Sequence, residues 1–195
     1  STLEHDEPSA GAELADLISS ALTTALVGDR AAAVTQARRA VDALRPQATR
    51  PEGFDPASAW IICSIAWDDH ALDTILDEQL TAVRAAGRVG ALPIALTSRA
   101  LAHLHTGELR RAADCVAEAR QFSDVVPELV ELGVAAWSGD RREADRLCER
   151  LAASAPAPPG PRQLAAMAYA RLLVNNGTGN YREALAAAQG GSGLD

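Results

Sequence analysis

Lysine is missing from this chain: all 18 basic residues among its 195 are arginines. That removes each mechanism that needs a lysine amine, including a Walker-type phosphate loop, a Schiff base to a carbonyl or pyridoxal cofactor, and the kinase lysine. Aromatic residues are scarce too, at 3 Trp, 2 Tyr and 2 Phe, so buried surfaces have to be built from small side chains that let backbones approach closely. The three cysteines, Cys63, Cys115 and Cys148, are odd in number, far apart and without a Cys-x-x-Cys pair. Neither a disulfide framework nor a zinc site is written into them, and free, mostly buried thiols in a reducing cytosol are the simpler account. No apolar run approaches the roughly 18 residues of a membrane span, and the acidic start Ser1–Ser9 lacks a signal-peptide pattern. Runs of β-branched residues with period two are absent, so no strand is expected.

What is present favours packed helices. Alanine fills 42 positions, about a fifth of the chain, and it is the strongest helix former. The net charge of −8 speaks against nucleic acid as a direct partner. Over 108–122, Leu109, Ala112, Ala113, Val116, Ala119 and Phe122 recur at helical spacing opposite Arg110, Arg111, Asp114, Glu118 and Arg120, which predicts an amphipathic helix with one buried stripe. The segment 30–44 repeats the design, and 140–153 repeats it behind a D-x-x-E capping box at Asp140 and Glu143. Each is entered from a glycine, Gly28, Gly107 or Gly139, and Gly179 opens a fourth copy. The segment in front is of another kind: 91–106 is apolar nearly all round, as a helix covered on several sides would be.

Alternation of a well-buried helix with an amphipathic one is how helical solenoids stack, because one hairpin cannot bury its own apolar face. The glycines lie 79, 32 and 40 residues apart, so a disguised turn in the first gap, at Trp67-Asp68-Asp69-His70, brings the period near 40 and the count to five hairpins. Helices are expected at about 12–27, 30–44, 57–67, 69–86, 91–106, 108–122, 125–138, 140–154, 162–177 and 180–189. Proline-rich breaks are expected at Arg45–Pro56 and Ala155–Pro161. The domain expectation is a flexible segment 1–11, one helical repeat domain over 12–189 and a flexible tail over 190–195. The start at Ser1 without Met and the linker-like Gly190-Gly191-Ser192-Gly193 read as an excised piece of a larger polypeptide.

The run Gly179-Asn180-Tyr181-Arg182-Glu183-Ala184-Leu185 resembles the second half of a tetratricopeptide repeat. Together with Trp67-Asp68-Asp69-His70, Ala85–Leu96, Ala102–Leu109, Gly139–Ala144 and Asn176–Ala188, it makes roughly Trp60 to Gln189 similar to the C-terminal repeat region of large ATP-binding LuxR-type regulators of actinobacteria, relatives of the maltose regulator MalT. That resemblance implies an all-α, right-handed superhelix of about five tetratricopeptide-like antiparallel hairpins, cytoplasmic and without a cofactor. It implies a sensor and interaction module of a transcription regulator, contacting a small-molecule effector or a regulatory protein or peptide and the other domains of its parent. The chain carries no phosphate loop and no basic recognition helix, so by resemblance it corresponds to the middle part of such a regulator. The Pro-rich Ala155–Pro161 departs from the family pattern.

Catalysis finds little support in the residue pattern. Asp68, Asp69 and His70 are consecutive, which makes them poor joint ligands for one ion and good caps for a helix start. His103 and His105 stand two apart, on nearly opposite sides of a helix, so they cannot chelate together. A partly buried packing role is expected for His103 and a surface or groove role for His105. No G-x-S-x-G turn or Cys/His signature appears, and no enzyme is expected. Stacked hairpins instead offer a groove lined by the first helix of each pair. Residues at equal offsets before Gly107, Gly139 and Gly179 would share it: Thr97, Leu101 and His105; Leu129, Gly133 and Trp137; Tyr169, Leu173 and Asn176. His105, Trp137, Tyr169 and Asn176 would then form a mixed aromatic and hydrogen-bonding strip for a small polar ligand or a peptide; the plainer reading is interhelical packing. Trp60 and Trp67, seven apart, are core or dimer-interface residues on the same logic. The second functional reading is a passive scaffold for oligomerisation, as a homodimer, or for docking, with no small ligand.

Overall fold

The computed structural model describes residues 10–49, 55–123, 128–153 and 160–191. Among them every regular element is helical and none is a strand. The helices are α1 (Ala10–Leu26), α2 (Arg30–Ala48), α3 (Pro56–Ala66), α4 (Asp69–Ala85), α5 (Leu92–His105), α6 (Leu109–Ala119), α7 (Glu128–Trp137), α8 (Arg141–Ala153), α9 (Pro161–Gly177) and α10 (Tyr181–Gly191), with a short 3-10 turn at Val89–Ala91. The all-α expectation holds. No helix among the described residues is long and apolar enough to cross a membrane.

Five of the helix-to-helix turns share one construction. Gly28, Gly107, Gly139 and Gly179 have φ of 90°, 77°, 73° and 78°, and Trp67 takes the same left-handed place at φ 54°. The five positions lie 39, 40, 32 and 40 residues apart. The N–H of the residue after Trp67, Gly107, Gly139 and Gly179 returns to the carbonyl five residues earlier, at 3.0, 2.8, 2.9 and 2.8 Å, which closes the preceding helix in a Schellman-type turn. That same residue is the cap of the next helix: Asp29, Asp68 and Asp140 each accept from a backbone N–H three residues on, at 3.0, 2.8 and 3.0 Å. One left-handed residue therefore ends a helix, and at Asp29, Asp68 and Asp140 its neighbour caps the following one. Two residues depart from this role. The Asn180 side chain donates to the Thr178 hydroxyl at 3.1 Å. Glu108 makes no capping bond. It turns back to the buried His103, whose Nδ1 lies 2.7 Å away, and it also accepts from Arg111.

A bulky side chain gains nothing from a left-handed backbone, and Trp67 is 90 % exposed. Trp67→Gly should therefore stabilise the fold by up to about 1 kcal/mol, the relief of strain exceeding the added freedom of the unfolded chain. Urea unfolding of the two proteins checks this; a loss of stability would mean that the indole makes contacts worth more than the strain.

The chain divides into two compact units, Ser1–Ala91 and Leu92–Asp195. In the first, α1 packs on α2, α2 on α3 and α3 on α4, with α1 against α3 and α2 against α4. Its buried surface on α2 is largely alanine, with Ala33, Ala37 and Ala40 at 1 % exposure or less, facing a unit whose larger residues are Ile62, Ile75, Leu76 and Val83. In α2 the helix passes through Pro46, beyond the expected stop at Leu44, because Ala48 in the last turn is fully buried and the lost bond falls near the helix end.

Cys63 is 1 % exposed. Burial pushes its thiol from 9.0 up to about 12; the Asp68 carboxylate adds to the shift and Arg45 opposes it. A thiol whose folded value is raised gives stability that is complete below pH 9.0 and lost as pH climbs towards about 12. Denaturant unfolding across that window should show stability falling with pH in the native chain and a shallower fall in Cys63→Ala. Equal slopes would remove Cys63 from the account.

In the second unit α5 packs on α6, α7 on α8 and α9 on α10, while α7 touches both α5 and α9. Its main core gathers Leu132, Ala135 and Ala136 of α7, Leu147, Cys148 and Leu151 of α8, and Met167, Ala170 and Val174 of α9. The helix α5 is buried nearly all round, as its composition implies, with His103 and Arg99 at 6 % and 8 % exposure. α6 ends at Ala119, so Phe122 lies beyond it and is exposed, as is Ala113. Of the capping box at α8, half is formed: Asp140 accepts from the Glu143 N–H, but the Glu143 carboxylate takes the Arg146 guanidinium, which holds it below the usual carboxylate range. α9 opens at Pro161, the favoured first helical position for proline, and most of the break before it lies outside the described residues.

Candidate functional site

Three first helices of the second unit enclose an apolar cavity of about 220 Å³. Its inner surface comes from Leu104 of α5, Leu132 of α7 and Ala170 of α9, which are 8 %, 1 % and 2 % exposed. Trp137 and Tyr169 also line it, each half in solvent at 50 % exposure, together with His105. The His105 Nδ1 stands 2.9 Å from the Leu101 carbonyl. Among the described residues, no carboxylate or guanidinium lines this cavity. Its chemistry is thus an apolar hollow carrying an indole, a phenol and an imidazole, suited to holding an apolar or aromatic group and offering it hydrogen bonds.

Gly133 explains how closely the walls approach. A Cβ there would stand 2.7 Å from the Leu104 Cδ2, so the bare backbone of α7 is what lets α5 settle against it.

The structure brings His105, Trp137 and Tyr169 to one cavity, with Leu101, Leu129 and Gly133 alongside. It does not bring Thr97 or Asn176 there. The Thr97 hydroxyl donates to the Pro93 carbonyl of its own helix at 2.6 Å. Asn176 is exposed, and its carbonyl accepts the Gly179 N–H at 3.2 Å. For Asn176 the reason is register: His105 and Trp137 stand two residues before their glycines, whereas Asn176 stands three before Gly179, and Gly177 holds the matching position. Leu173 packs against the core. Leu104, Leu132, Ala166 and Ala170 were not among the expected groove residues, although they sit beside them on the same helices and supply the depth.

A second hollow, of about 340 Å³, lies among α6, α7 and α8, lined by Val116, Ala135 and Leu147 with Arg120 and Glu131 at its edge. Glu131 accepts from Arg120 and, at 3.2 Å, from Arg150, whose Nε is 3.3 Å from Glu128. This set of ion pairs joins the three helices, and spacing alone gave no sign of it. Elsewhere, Asp68 is spent on capping α4, with Asp69 and His70 in its first turn. Trp60 lies in α3, while Trp67 lies past its end. No group of three His, Cys, Asp or Glu among the described residues is placed to hold a metal ion.

No family model, no curated protein and no solved structure matches the chain.

Proposed function

We propose that the chain is a non-catalytic binding module of tetratricopeptide-like hairpins, in which the α5, α7 and α9 cavity receives a small effector or one apolar side chain of a partner peptide. The observation that carries this reading is the meeting of Trp137, Tyr169 and His105 on one apolar hollow with a leucine floor. Occupancy would change the preferred packing of neighbouring hairpins in proportion to the ligand's differential affinity for the two arrangements. We further propose, on the motif resemblance, that the module belongs to a cytoplasmic LuxR-type, MalT-like transcription regulator and acts as its sensor.

A thermal-shift and calorimetric screen of the whole chain against metabolites and amphipathic peptides tests the proposal. Saturable binding that perturbs Trp137 supports it. A scaffold without a small ligand is favoured instead by the exposed Leu164, Tyr181 and Leu185 of α9 and α10, at 52 %, 69 % and 59 % exposure. That alternative predicts concentration-dependent self-association or docking and no response to any metabolite.

A further inference from the structure

We propose that the cleft between α8 and α9 binds a phosphate group through Arg141, Arg171 and Asn175. The cleft has a volume of about 110 Å³, room for a few water molecules at roughly 30 Å³ each and hence for a small tetrahedral anion. It is separate from the apolar cavity, with which it shares only Ala170.

Three donors line it. The Arg141 Nη1 donates to the Asn175 Oδ1 at 3.2 Å. That bond engages the amide oxygen, and the NH₂ group is the remaining donor of a side chain that lines the cleft. Asn175 is 9 % exposed, and its carbonyl is taken by the Asn180 N–H at 2.8 Å, so its place is fixed by backbone as well as side chain. Arg171 has no ion-pair or hydrogen-bond partner among the described residues, whereas Arg146 and Arg150 of α8 are each held by glutamates. Among the described residues, the one carboxylate lining the cleft is Asp145, 3.7 Å from the Arg141 Nε. Two guanidinium groups against one carboxylate leave a local positive charge in a chain whose net charge is −8. The neighbouring Cys148 thiol is kept neutral by burial, with Arg171 working against the shift, so it places no charge against an anion.

A guanidinium is a fork of donors matched to an oxyanion. One fork is enough for a planar carboxylate. Two forks on separate helices, with an amide beside them, match the several oxygens of a phosphate.

The test is a titration of the whole chain with inorganic phosphate at low ionic strength, read by backbone amide NMR, with chloride at equal ionic strength as control and glycerol phosphate as the ester arm. Saturable shifts are expected over 141–148 and 170–176 with phosphate and not with chloride. Arg171→Gln removes an exposed, unpaired side chain, so the fold persists, and phosphate binding should weaken about tenfold or more. Asn175→Asp places a carboxylate between the guanidinium groups; it should abolish phosphate binding while raising the thermal midpoint. Tighter binding of glycerol phosphate would identify an ester as the ligand, and tighter binding of inorganic phosphate the free ion; either supports the site. Absence of saturable shifts, equal shifts with chloride, or unchanged affinity in Arg171→Gln would overturn it.

Discussion

Leu132→Ala should lower the unfolding free energy by about 2–5 kcal/mol, the range for deleting a buried leucine and leaving a void. Leu132 is 1 % exposed and sits where two features meet. It belongs to the core formed with Leu147, Met167 and Ala170, and it also lines the α5, α7 and α9 cavity. A chain whose total stability is of the usual order, about 5–15 kcal/mol, would lose a large share of it. Urea unfolding followed by circular dichroism should show the midpoint falling in the transition of the second unit. As a control, Leu164→Ala trims a side chain that is 52 % exposed and should stay within about 0.5 kcal/mol. A Leu132→Ala effect as small as the control's would mean that this core is not packed as described.

Trp137→Ala should instead spare the fold and remove binding. The indole is 50 % exposed, so its truncation opens the surface to solvent and leaves no enclosed void of the kind that makes Leu132→Ala costly. At a binding site, however, a tryptophan anchor commonly accounts for about 2 kcal/mol or more, which is roughly thirtyfold or greater in affinity. Calorimetry on the strongest ligand of the screen, with thermal unfolding in parallel, separates the two effects. Affinity falling by that factor at a nearly unchanged unfolding midpoint is the expected pair of results. Unaltered affinity would place the ligand elsewhere on the chain.

The turns were the most legible feature because their requirement is local. A left-handed residue followed by a capping acid or amide has few sequence solutions, and Gly28, Gly107, Gly139 and Gly179 are the common one. Trp67 shows that the rule tolerates an exception where the surrounding spacing and the Asp68 cap remain, which is why the period exposed a turn that its residue type hid. Helix bounds were less legible where burial and local preference disagree, as at Pro46, carried inside α2 by the buried Ala48. In the candidate site, counting back from the glycines placed His105, Trp137 and Tyr169 on helices that do come together, but one residue of slip sent Asn176 to the surface. A helix turns by about 100° per residue, so an error of one position changes the face.

The α8–α9 cleft was not legible at all. Arg141 and Asn175 are 34 residues apart, and nothing in their local sequence announces that they meet. The same holds for Glu131, which touches Arg120 and Arg150 on two other helices. Long polar side chains make contacts set by packing of the backbone beneath them, and a periodic pattern of apolar residues carries no record of those contacts.

The most direct test of the binding cavity is an NMR titration of the chain's three tryptophan indole N–H resonances with the strongest ligand of the screen. The Trp137 signal should move saturably, with Trp60 and Trp67 unmoved. A Trp137 signal that stays in place while the ligand binds, or that no screened compound or peptide displaces, would contradict the account.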